Sequence, residues 1–105
     1  MREQRLQKLL QMHSENAEDT FVNYAIGLEY LGLADLVAAE AWFRKVLVLD
    51  PKHIPAQYQL ALLLFTHGKA AEASSVLEAG LNQLKDSKDL KTRNEFQSLW
   101  DEINY

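Results

Sequence analysis

Apolar residues recur three and four positions apart along most of this chain, and strict alternation is absent. That period belongs to amphipathic helices rather than strands. Six helices are predicted. The first runs from Arg2 to Ser14, with Leu6, Leu9 and Leu10 on one face. The second runs from about Asp19 to Gly32, and Glu18 or Asp19 suits its positive N-terminal end. The third runs from Asp35, a suitable N-cap, to Leu49. Asp50-Pro51 stops it, because the residue before proline is pushed out of the α region. The fourth begins at Ile54 or Pro55, where a first-turn proline is tolerated, and ends at His67-Gly68. The fifth runs from Lys69 to Leu84. After the polar break "KDSKD", the sixth runs from Asp89 to Ile103, with Phe96, Leu99, Trp100 and Ile103 on one stripe. Connections of a few residues force antiparallel neighbours, so the expected fold is all-α, a stack of antiparallel helical hairpins.

Two glycines interrupt the second helix, in "AIGLEYLG". Each interior glycine costs a helix about 1 kcal/mol against alanine. An internal repeat accounts for the first. A shift of 34 residues lays Tyr24 on Tyr58, Leu28 on Leu62, Ala39 on Ala73 and Leu47 on Leu81. It also lays Ile26 on Leu60, Gly27 on Ala61, Tyr30 on Leu64, Leu31 on Phe65 and Phe43 on Leu77. Apolar meets apolar and small meets small. Gly27 is therefore expected at a close helix crossing, facing Ala39 or its neighbours, as Ala61 faces Ala73. Gly32 is expected to take a left-handed cap at the helix end, the alternative being an interior position with no role.

A helix-turn-helix period of 34 residues resembles the tetratricopeptide repeat family. In the first unit Ile26-Gly27 matches the family's Leu-Gly pair and Tyr30 its helix-A tyrosine. Ala39 matches the small residue early in helix B, Phe43 the aromatic after it, and Pro51 the closing proline. The second unit is looser, with Leu60-Ala61, Leu64, Gly68, Ala73 and Leu77, and Lys85 where the proline should stand. Asn23 and Gln57 occupy the place of the family's early tryptophan. The resemblance implies one domain over residues 1–105: an N-terminal helix (1–18), repeats at 20–53 and 54–87, and a C-terminal capping helix (88–105).

Charge and composition narrow the function. Eleven Lys and Arg against fifteen Asp and Glu leave a net charge of −4, which gives no footprint for nucleic acid or an anionic membrane. Cysteine is absent, so disulfides, thiolate metal sites and cysteine chemistry are excluded. The N-terminus "MREQRLQKLL" has no apolar signal core, and "LALLLF" is too short to span a bilayer. A cytoplasmic protein is expected. His13, His53 and His67 lack metal-ligand spacing, and no phosphate loop or nucleophile elbow is present. No enzyme activity, metal or cofactor is expected. Trp42 and Trp100 suit core or cap packing, the alternative being an exposed anchor for a partner.

The resemblance also points to a binding face. The family's concave surface is lined by helix A, and its positions map onto Phe21, Tyr24, Leu28 and Leu31, then Pro55, Tyr58, Leu62 and Phe65. A solvent-facing helix surface should be polar, and an exposed apolar patch marks an interaction site. The expected function is protein–protein interaction through Phe21, Tyr24, Leu28, Leu31, Tyr58, Leu62 and Phe65. Two alternatives stay open: self-association into a homodimer through the same face, or burial of the face by the first or last helix.

Overall fold

The computed structural model describes all 105 residues. Six helices follow one another, α1 (Arg2–Glu15), α2 (Thr20–Gly32), α3 (Leu36–Leu49), α4 (Ile54–Thr66), α5 (Ala70–Gln83) and α6 (Leu90–Asn104), with no strand. They form two compact units, Met1–Ala56 and Gln57–Tyr105, which divide in the first turn of α4. No helix is long and apolar enough to cross a membrane.

Aspartates fix three helix starts. Asp19 accepts from the Val22 amide at 3.2 Å, Asp35 from that of Ala38 at 3.1 Å, and Asp89 from that of Thr92 at 3.1 Å. Each satisfies one orphan amide of a first turn. At α4 an imidazole does this work: the Ala56 amide donates to His53 Nδ1 at 3.1 Å. The Thr92 hydroxyl also donates to Asp89, at 2.7 Å. Bonds from the Thr92 side chain and backbone hold the Asp89 carboxyl below its ordinary value. This cap is therefore in place at neutral pH and is lost as acid protonates the carboxylate.

The turns after α2 and α4 are the same turn. Asp35 N–H donates to Tyr30 O at 3.0 Å and Ala34 N–H to Leu31 O at 3.0 Å. Thirty-four residues on, Lys69 N–H donates to Leu64 O at 2.8 Å and Gly68 N–H to Phe65 O at 3.1 Å. This pair of bonds is a Schellman motif, which needs a left-handed residue just past the helix. Gly68 supplies it at φ 78°, and Ala34 at φ 61°. The cap expected at Gly32 thus stands at Ala34. Gly32 is the last residue of α2, and its missing side chain leaves room for the Arg2 guanidinium. Left-handed backbone costs alanine about 1–2 kcal/mol and glycine little. Ala34→Gly should therefore raise stability by about 0.5–1 kcal/mol, after the greater freedom of glycine in the unfolded chain is subtracted. A urea melt of the variant no more stable than that of the parent would refute the strain.

In the first unit, α1 packs on α2 and α2 on α3. Leu6 of α1 meets Val22 and Ile26, flanked by Leu9, Leu10, Tyr30, Leu33 and Trp42. Arg2 and Arg5 reach Glu29 at 3.4 and 3.3 Å. From α3, Ala39, Phe43 and Val46 are fully enclosed. A Cβ on Gly27 would lie 2.6 Å from Phe43 Cε1. The close crossing is thus between Gly27 and the Phe43 ring, one turn beyond Ala39. In the second unit Leu60, Ala61, Leu64, Ala73 and Leu77 are buried, and α6 adds Phe96 and Leu99. Gly80 of α5 leaves its space to the Phe96 ring.

Candidate functional site

Phe21, Tyr24, Leu28 and Leu31 follow one another at steps of three and four, which places them along one side of α2. The α1 helix packs on a different side, through Val22, Ile26, Tyr30 and Leu33. Phe21 keeps 74% of its surface exposed. Tyr24, Leu28 and Leu31 are half-buried. The Tyr24 ring lies 5.6 Å from that of Phe43 and 5.1 Å from that of His53, so its position is fixed by α3 and by the cap of α4.

On α4, Tyr58, Leu62 and Phe65 are half-buried and Pro55 is exposed. The Tyr58 ring lies 5.4 Å from that of Phe96, tilted by 48°. Burial pushes the Tyr58 phenol above its ordinary value, and the nearby Glu95 and Glu102 carboxylates of α6 push it the same way. The last helix therefore lies against part of this face, at Tyr58. The Leu60, Ala61 and Leu64 positions point into the core, being almost fully enclosed.

Both tryptophans have internal partners. Trp42 packs on the Leu6–Val22–Ile26 cluster, takes the His13 ring edge-on at 4.8 Å, and carries the Lys45 ammonium 4.3 Å above its ring. Trp100 Nε1 donates to Glu78 at 3.4 Å. His67 lies just past the end of α4. No group of three or more His, Asp or Glu is close enough to hold a metal ion. Sequence reasoning passed over one pair, Asn23 and Gln57, as missing tryptophans. Both are buried amides. Their signal was present: two polar residues 34 apart, each inside an otherwise apolar stretch.

Comparison with known proteins agrees with this architecture. The chain is similar along 98% of its length, at a TM-score of 0.90 and 16% identity, to the Yersinia enterocolitica type III secretion translocator chaperone SycD, of which it covers 72%. It is similar to a tetratricopeptide repeat domain protein of Salinibacter ruber at a TM-score of 0.75 and 22% identity, over 82% of this chain and 96% of that one. A Bordetella parapertussis protein gives 0.77 and 22%, over 94% and 86%. At such identities these likenesses speak for the fold alone. A search of curated proteins found no match. The family profile described as "Tetratricopeptide repeat" matches residues 30–92, more than half of the chain. With the 34-residue period and the repeated turn, that match establishes that the chain belongs to the tetratricopeptide repeat family.

Proposed function

We propose that this chain is a protein-interaction module which takes an apolar partner segment on its helix-A faces. Phe21, Tyr24, Leu28 and Leu31 form the face in the first unit, and Tyr58, Leu62 and Phe65 that in the second. The observation that carries the reading is Phe21: a phenylalanine 74% exposed, on the side of α2 that α1 does not use. Large exposed aromatics beside further apolar side chains are typical binding anchors. Tetratricopeptide domains as a family bind proteins, and the Yersinia relative is itself named a chaperone. No bond-making chemistry is assigned to either face.

Phe21 also supplies the cleanest test. Its side chain contributes little to the core, so Phe21→Ser should leave the thermal melt within about 0.5 kcal/mol of the parent. Affinity of the intact chain for a partner should fall by about thirtyfold, as loss of a 2 kcal/mol anchor requires. If parent and variant capture the same proteins equally, the α2 face is not the binding surface. Light scattering over a concentration series separates a foreign partner from a second copy. Mass that rises with concentration in the parent but not the variant assigns the face to self-association.

A further inference from the structure

Asn23 and Gln57 are equivalent by the 34-residue shift, and both are buried. In the second unit Gln57 Nε2 donates to Gln83 Oε1 at 2.6 Å. Gln83 is the last residue of α5. The equivalent last residue of α3 is Leu49, which has no amide to offer. Asn23 therefore turns its Nδ2 elsewhere, to Ala17 O at 3.0 Å and Asp19 O at 2.8 Å. Two carbonyl acceptors fix which end of the amide is which. Asn23 Oδ1 is left buried with no partner. Such atoms are rare in folded proteins and call for an explanation.

The explanation lies beside it. Asn23 lines an open notch of about 270 Å³, together with His13, Ala17, Lys45, Val48 and Leu49. We infer that this notch is a binding site for a single aromatic ring bearing a hydrogen-bond donor, a phenol or an indole, whose O–H or N–H is accepted by Asn23 Oδ1. The size suits one ring system: a cavity of about 150 Å³ holds benzene, and drug-sized ligands need about 300–1,000 Å³. Ala17, Val48 and Leu49 give it apolar walls. The free polar atom is an acceptor, so the ligand must donate. The Lys45 ammonium already lies over one ring, Trp42, and a second ring in the notch would share it. Reaching Oδ1 requires a lining side chain such as Leu49, at the end of α3 and 39% exposed, to move. The same ring chemistry is available from a free small molecule or from a tyrosine or tryptophan of another polypeptide.

The test is an NMR titration of the full chain, observing the Asn23 side-chain amide and the Val48 and Leu49 methyls. The probes are p-cresol, indole, toluene and N-acetyltyrosinamide. The first two should give saturable shifts at all three residues. Toluene, which lacks only the hydroxyl of p-cresol, should bind about five-fold more weakly, the worth of one ordinary hydrogen bond. Leu49→Gln, which places a side-chain N–H donor in the wall of the notch, should melt no lower than the parent and lose p-cresol binding. Tighter binding of N-acetyltyrosinamide than of p-cresol supports the site with a polypeptide as its source, and the reverse supports it with a free ring. The inference is overturned if no saturable shift occurs at these residues. It is equally overturned if toluene matches p-cresol, or if Leu49→Gln binds p-cresol as the parent does.

Discussion

Gly27→Leu should lower the melting temperature by about 5–20 °C. The nearest atoms to a side chain at this position belong to the Phe43 ring, with Cε1 only 2.6 Å from where a Cβ would stand. Phe43 has no exposed surface through which to withdraw. Even a methyl group there must push the ring or separate α2 from α3. Overpacking of this kind costs about 1–3 kcal/mol, and each kcal/mol moves a domain of this size by about 4–8 °C. Gly32 is the control within the same helix. A Cβ there meets the end of the Arg2 side chain, which is 44% exposed and can move aside. Gly32→Ala should change the melt by less than about 1 kcal/mol in either direction, since alanine also gains helix propensity. Equal melts for the parent and Gly27→Leu would show that α2 and α3 do not approach closely at this point.

Phe96→Ala should cost about 3–5 kcal/mol, the range for truncating an enclosed phenylalanine. Phe96 is almost wholly buried, occupies the space left by Gly80, and lies against the Tyr58 ring at a tilt of 48°. The two atoms nearest to a Cβ at Gly80 both belong to the Phe96 ring. The variant should show a lower urea midpoint by circular dichroism. Its Tyr58 phenol reports the same event independently. Burial, Glu95 and Glu102 now hold that phenol above its ordinary value. As α6 loosens, all three influences weaken, and the ultraviolet titration of Tyr58 should move down toward the ordinary tyrosine range. A normal melt with an unmoved phenol would mean that α6 is held by contacts other than Phe96.

The helices themselves were legible in the sequence because their ends carry unambiguous chemistry. Asp19, Asp35 and Asp89 each precede an apolar period, and each accepts the amide bond expected of a cap. Asp50-Pro51 ends α3 at Leu49. The facing partners were less legible. The α2 sequence "TFVNYAIGLEYLG" is apolar on nearly every side, so its period does not say which side meets α1. Small-to-small matching across repeats points to Ala39 or its neighbours as the partner of Gly27, but does not fix where a large ring such as Phe43 will lie. The turn was misplaced for a related reason. Glycine is the usual left-handed residue, so Gly32 drew the cap that Ala34 carries. The polarity of Asn23 was visible, but only the folded chain shows that its oxygen is unpaired and that Leu49 lines the same notch.

The repeated turn limits which insertions the first hairpin can accept. The bond from Asp35 N–H to Tyr30 O closes over six residues, and the bond from Ala34 N–H to Leu31 O nests inside it. One added residue between Leu33 and Ala34 breaks both. It also puts the left-handed residue and the Asp35 cap of α3 out of step with the end of α2. The pairing of Gly27 with the Phe43 ring depends on how this turn sets α3 against α2, and an insertion loosens it. Length variation at this turn is therefore disfavoured by geometry even though Ala34 and Asp35 are exposed. The polar link between α5 and α6, Leu84 to Asp89, has no such nested pair and is where the chain can lengthen.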